Sequence, residues 1–305
     1  MKYVNMNHQT MKASAVIVGC MRIAGMEERE LDQLIHTSLE LGINTFDHAD
    51  IYGGGVSEKK FGKILAEQPH LREKLFLQSK CGIREGYFDF SKEHILQSVD
   101  GILKRLHTDY LNLLILHRPD VLMDLEEVAD AFETLTKTGK VLDFGVSNMN
   151  PMQIELLQSC MNKKLCVNQL QFSAAHTKMI DEALNVNMLT AASPMCTGSV
   201  MDYCRMKDIT IQSWSSLQYG FFEGTFLGSE KYVELNRTLE CLAQKYHVSA
   251  GAIAIAWILR CPAVQQAVVG TTKTSRIAEL AAGSEVELTR QEWYQIYTSA
   301  GNQLP

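Results

Sequence analysis

Gly42-Ile43-Asn44-Thr45-Phe46-Asp47 is a short apolar run that stops at a carboxylate, and residues 48–55 then pass through Tyr52 into Gly53-Gly54-Gly55. Just before it, residues 27–41 place Leu31, Leu34, Ile35, Ser38 and Leu39 at the i, i+3, i+4 spacing of one helical face, with Gly42 as the stop. A helix that feeds a short strand tipped by a polar side chain is one unit of a parallel α/β sheet. How often the unit recurs decides the architecture.

Working outward, the chain holds eight strand candidates: ASAVIVG ending at Gly19, GINTFD ending at Asp47, KLFLQSK ending at Lys80, YLNLLILH ending at His117, VLDFGVS ending at Ser147, LCVNQLQ around Gln169, ITIQSW ending at Trp214 and VQQAVVG ending at Gly270. Longer amphipathic stretches separate them. Ser91 opens one that includes HILQSVDGILKRL, Glu126 to Lys137 is another that ends at Gly139, and Pro151 follows Asn150 as the first turn of a third. Glu230 to Tyr246 and Ser249 to Leu259 place two helices before the eighth strand, one more than a minimal barrel needs. Eight such units in 305 residues predict the α/β class and a single (β/α)8 barrel. No linker, low-complexity tract or charge block divides residues 1–305, so one domain is expected.

A chain that is 46% hydrophobic can bury a large core. Acidic residues exceed basic ones by 35 to 29, so the net charge of −6 offers no general attraction for nucleic acid or an anionic membrane, and phosphate binding has to be local. Eight cysteines without CxxC spacing read as reduced thiols of a cytoplasmic protein, although Cys81 beside Lys80 leaves a reactive thiolate open. None of the nine histidines falls into HExxH or a Cys/His cluster, so no metal is expected. Ile17-Val18-Gly19-Cys20 imitates a lipoprotein cleavage site. The apolar run before it, Ala13 to Val18, is shorter than the about 7–15 residues of a signal core, which favours a first buried strand. No window approaches the roughly 20 apolar residues of a membrane helix.

Asp47, Tyr52, Lys80 and His117 each lie at or just past a strand tip, and a parallel barrel gathers such tips on one face. An ammonium near a phenol favours the phenolate, so Lys80 is expected to lower the Tyr52 pKa from its usual value of about 10 and make it a proton donor to a carbonyl oxygen. Asp47 would hold Lys80 charged, and His117 could bond the same oxygen. The Asp47 and Lys80 pair also reads as a structural ion pair closing the barrel. Trp214, a flat ring at a strand tip, suits packing against another flat ring or a place in the core. The Gly53-Gly54-Gly55 run does not match GxGxxG, which disfavours a Rossmann fold. Gly270-Thr271-Thr272-Lys273-Thr274-Ser275-Arg276 puts two cations and several hydroxyls at a helix start, either a seat for a phosphate dianion or a solvated basic turn.

The run from Gly42 to Gly53, then Glu58 and Gly62, Ser79-Lys80, Leu116-His117-Arg118-Pro119-Asp120, Gly145-Val146-Ser147-Asn148 and Asn168-Gln169, resembles the aldo-keto reductase superfamily over nearly the whole chain. The longer phrases DHADIYGG, SKCGI, HRPDxLMD and GKVxxFGVSN are most similar to the bacterial YdhF-type reductases. The resemblance implies NADPH-dependent reduction of an aldehyde or ketone, with Tyr52 as general acid and Asp47, Lys80 and His117 completing a tetrad. It implies that Ser147, Asn148 and Gln169 hold the nicotinamide carboxamide and that Trp214 stacks on the ring. Gly19 and the turn Ser215, Ser216 and Leu217 would flank the cofactor, the turn at its pyrophosphate. Gly270, Thr271, Thr272, Lys273, Arg276 and Glu279 would form the end that clamps the 2′-phosphate. Gly270 stands where many relatives have lysine and Leu280 where many have asparagine, so NADH stays open beside NADPH.

Two other readings remain at this level: a nucleotide-binding, redox-sensing regulatory subunit, and an aldolase forming a Schiff base on Lys80, which a charge-holding Asp47 opposes. The expected partner is a small carbonyl compound, with neither nucleic acid nor membrane. The loop Gly82 to Phe90, with Tyr87 and Phe88, is expected to shape the pocket, and residues 218–229 with Tyr219, Phe221, Phe222 and Phe226 read equally as a cover over the pyrophosphate, as aromatic core or as an exposed loop. Substrate identity and oligomeric state are not written in the order of residues.

Overall fold

In a computed structural model, which describes residues 1–6, 9–189 and 196–305, eight parallel strands close in chain order into one barrel. They are β1 (Val16–Gly19), β2 (Thr45–Asp47), β3 (Phe76–Cys81), β4 (Leu111–Leu116), β5 (Val141–Ser147), β6 (Val167–Gln171), β7 (Thr210–Trp214) and β8 (Val264–Val269). Each falls where an apolar run was expected, and the (β/α)8 fold is as read from the sequence. His117 and Gly270 stand one residue beyond their strands. Leucine, isoleucine and valine dominate because both faces are covered, by other strands inside and helices outside. The register pairs Gly19 with Asp47 and Ser147 with Gln169, which levels the C-terminal tips.

Around the barrel lie α1 (Glu28–Glu40), α2 (Val56–Glu67), α3 (Lys92–Leu106), α4 (Leu125–Lys137), α5 (Pro151–Gln158), α6 (Lys178–Leu184), α7 (Val200–Met206), α8 (Val233–Tyr246), α9 (Ala250–Leu259), α10 (Thr274–Ala281) and α11 (Arg290–Ser299). The expected caps form: Ser91 accepts from the His94 N–H, and Asn150 and Gln153 close a reciprocal box before α5. Helix α9 is apolar on every side and buried, because α8 and α10 pack over it.

Inside, the barrel is layered. A hairpin of Tyr3–Val4 with Ala13–Ser14 closes the N-terminal end, where Val4 and Met6 pack on Phe76, Leu113 and Val167. Cys20 is buried just after β1, in keeping with a strand at that place. Cys81 is also buried, and burial pushes its thiol well above the ordinary range, which removes the reactive-thiolate reading. Among the described residues no helix is long and apolar enough to cross a membrane.

Candidate active site

Past β2 the chain must turn sharply to bring Tyr52 back over the barrel mouth. The Tyr52 N–H donates to the Ala49 carbonyl at 3.0 Å and the Gly54 N–H to that of Ile51 at 3.0 Å. Gly53, Gly54 and Gly55 then follow with φ of +58°, +61° and +85°, the left-handed region that disfavours a side chain. A Cβ on Gly53 would also lie 2.7 Å from the Ala24 Cβ. The glycine run is thus what lets the phenol face inward.

Beneath the phenol, the Lys80 Nζ donates to Asp47 Oδ1 at 2.7 Å, to Asp47 Oδ2 at 2.6 Å, to the His48 carbonyl at 2.9 Å and to the Tyr52 hydroxyl at 3.3 Å. Burial pulls the Lys80 pKa down, but Asp47 and Tyr52 outweigh it and hold the ammonium above its usual range. The phenol departs from expectation. Burial pushes its pKa up by more than Lys80 pulls it down, and Asp47 opposes the ammonium as well. Tyr52 therefore rests as a neutral phenol.

His117 meets Tyr52 edge-on, with ring centroids 6.1 Å apart, and its backbone N–H donates to the Cys81 carbonyl at 3.0 Å. Burial first, then Lys80 and Arg118, hold its imidazole well below the ordinary range. A neutral ring can donate one hydrogen bond into the cleft without bringing a charge.

Asp47 is fixed from below by amides. Gln78 Nε2 donates to Asp47 Oδ1 at 2.6 Å and Gln169 Nε2 to the same oxygen at 3.1 Å. Both also bond Gln212 Oε1 at 2.9 Å, Gln212 donates on to Gln266 at 2.9 Å, and Gln266 reaches the Ser14 carbonyl at 2.8 Å. This layer of glutamines lies between the apolar plug and the ion pair, and a bonded network of this kind rigidifies what it supports.

One cleft of about 960 Å³ opens above. Tyr52, Asp47 and His117 line one part, and Ser147, Asn148, Gln169 and Trp214 another. The Ser147 hydroxyl donates to the Gln169 carbonyl at 2.8 Å, Asn148 Nδ2 to Ser147 Oγ at 2.7 Å, and Trp214 Nε1 to Asn148 Oδ1 at 3.2 Å. Gln169 Oε1 accepts no hydrogen bond from a described residue. At the far end stand Gly270, Thr271, Thr272, Lys273 and Arg276. Neither Lys273 nor Arg276 has a carboxylate of a described residue within ion-pair distance, and no side chain caps the start of α10.

The Aldo/keto reductase family model matches residues 15–299. The chain belongs to this family. Oxidoreductase YdhF of Escherichia coli is 35% identical, covering 94% of this chain and 93% of that protein. The 6-dehydroglucose reductase of Agrobacterium fabrum is 34% identical over 95% of each chain. The crystal structure of the thermostable aldo-keto reductase Tm1743 superposes with a TM-score of 0.79 at 24% identity, covering 98% of this chain and 100% of the other, and shares its fold. As an aldo-keto reductase the chain is an NAD(P)H-dependent oxidoreductase.

Most of the residues expected of such an enzyme reach the cleft. Gly19, Ser215, Ser216 and Leu217 line it with those already named, whereas Lys80 lies beneath its floor. Glu279 does not reach it: it is exposed on α10, while its neighbour Leu280 faces in. Of the loop after β3, Ile83 alone lines the cleft; Tyr87 and Phe88 are exposed and Phe90 is buried in the core. Phe226 is likewise core, but Phe221 and Phe222 line the cleft, and Phe222 stacks on Trp214 at 5.9 Å. Arg22, Gln78, Gln212 and Gln266 carry no expectation in the sequence, and Arg118 enters there only as part of a motif, whereas Gln169 does carry one. The glutamines did leave a signal, a polar side chain inside each of four apolar strands.

Proposed function

We propose that this single-domain, cytoplasmic chain reduces an aldehyde or ketone to an alcohol, with hydride from NADPH and a proton from Tyr52. The observation that carries the reading is the contact of the Tyr52 hydroxyl with an ammonium that Asp47 holds charged, at the floor of a cleft that His117 also enters. The cleft suits a nicotinamide dinucleotide: Lys273 and Arg276, with no acidic partner among the described residues, would hold its 2′-phosphate, Gln169 Oε1 its carboxamide, and Trp214 the flat face of its ring. Bound there, the reduced cofactor supplies a hydride to the carbonyl carbon.

The chain's own part is position and proton. His117 and Tyr52 would both bond the carbonyl oxygen, and a neutral phenol arrives with its proton in place. As charge builds on that oxygen the proton leaves Tyr52, and the phenolate left behind is stabilised by Lys80, an interaction stronger in the transition state than before it. A Schiff base on Lys80 would need a neutral amine, and this one is held charged by Asp47.

The test compares wild type with Tyr52→Phe on 4-nitrobenzaldehyde, following NADPH consumption, and measures NADPH binding by both. Binding should persist while kcat falls on the order of 10²–10⁴-fold. Equal turnover would remove Tyr52 from the reaction.

A further inference from the structure

Arg118 follows His117 and lines the cleft half-buried. Its guanidinium carbon lies 5.4 Å from the centroid of the Trp214 ring and 5.7 Å from that of Phe221. Aromatic faces hold a cation in place without neutralising it. The other enclosed guanidinium groups here are satisfied. Arg105 pairs with Glu58 at 2.7 Å, and Arg72 donates to Thr108, Leu75, Tyr110 and Asn112. Arg118 differs: no carboxylate of a described residue lies within ion-pair distance, and none accepts a hydrogen bond from it. Burial pulls its pKa down as it does that of Arg72, so what sets Arg118 apart is the lack of partners and not the shift. A planar fork of donors left open in a cleft is suited to a carboxylate, which it can bind through two parallel bonds.

Topology separates this cation from the phosphate end of the cleft. Lys273 and Arg276 follow β8, whose neighbours are β1 and β7, whereas Arg118 follows β4, between β3 and β5. In a ring of eight strands those two positions are opposite. Arg118 is therefore not part of the phosphate seat, and it adjoins the residues that would hold the reacting oxygen.

We infer that Arg118 selects carbonyl substrates bearing a carboxylate, pairing with that group while the aldehyde or ketone oxygen lies against Tyr52 and His117. The inference rests on the reductase reading and adds a substrate class to it. A matched pair of probes tests it: 4-carboxybenzaldehyde and the methyl ester of the same aldehyde, assayed with NADPH on wild type, Arg118→Ala and Arg118→Lys. Wild type should favour the acid by about tenfold or more in kcat/KM, the measure of a charge-assisted hydrogen bond. Arg118→Ala should cut that acid-to-ester ratio by a similar factor, chiefly through KM, and Arg118→Lys should restore part of it. Calorimetric binding of both aldehydes to the NADP⁺ complex, where no turnover occurs, gives the same ratio independently of chemistry. An unchanged ratio in Arg118→Ala, or no wild-type preference in either measurement, overturns the inference and leaves Arg118 as packing for Trp214 and Phe221. Binding that shows the preference with no reduction of either probe would instead count against the reductase reading while supporting the role of Arg118.

Discussion

At the scale of single residues the site is a balance between burial and charge. Lys80 lies 2.6 Å from Asp47 and 3.3 Å from the phenol, and because both Lys80 and Tyr52 are held above their usual ranges, both stay protonated across the physiological range. Carbonyl reduction should accordingly be flat from about pH 6 to 9, while oxidation of an alcohol, which needs the Tyr52 phenolate, should rise with pH. An acid limb near the ordinary histidine value in the reduction profile would instead show His117 titrating. Lys80→Met tests the other half of the pair. It leaves the Asp47 carboxylate buried without its cation, so denaturant unfolding should show a loss of about 3–5 kcal/mol, together with a fall in kcat no smaller than that of Tyr52→Phe. A Lys80→Met protein as stable as wild type would mean that the amides of Gln78 and Gln169 suffice to hold the carboxylate.

Elements set what those residues can reach. The left-handed turn at Gly53-Gly54-Gly55 aims Tyr52, and its role was legible in the sequence because no other residue takes that backbone so readily. The strand tips were legible for a similar reason: Asp47, Lys80 and Ser147 interrupt apolar runs where a sheet ends. The start of α10 was readable as a phosphate seat, and its two cations prove to have no acidic partner among the described residues. Replacing Lys273 and Arg276 together by alanine should therefore raise the dissociation constant for NADPH by about tenfold or more and leave that for NADH within about threefold, as read by fluorescence titration. Equal weakening of both would assign the pair to the pyrophosphate or to α10 itself. The loop after β3 was not legible. Tyr87, Phe88 and Phe90 look alike in sequence, and packing alone turns two to solvent and one to the core.

For the molecule as a whole, acid should be destabilising through its buried histidines. Both ring nitrogens of His48 are buried without a partner among the described residues, and burial, then Lys80, lowers its pKa from 6.5 to about 3. The unfolded chain thus binds a proton between those values that the folded chain refuses, so stability is lost as pH falls below 6.5, by up to about 1.4 kcal/mol per pH unit for each such group. His117 acts in the same direction. Asp50, raised by burial and Glu58 from 3.8 to about 6, acts in the opposite one, but it is a single group with a smaller shift than that of His48. The melting temperature should therefore fall between pH 7 and 5, and less steeply in His48→Leu; a flat wild-type profile would refute this. By itself the sequence determined the barrel, the strand tips and the identities of the groups that meet there, since periodicity and interrupted apolar runs are local properties of the chain. Only the tertiary structure decided that burial outweighs Lys80 at the Tyr52 phenol, that Gln78 and Gln169 brace Asp47 with Gln212 and Gln266 behind them, and that Arg118 faces the cleft with no acidic partner among the described residues. Each depends on which groups from distant strands surround a charge, and the cost of a charge is set by those surroundings.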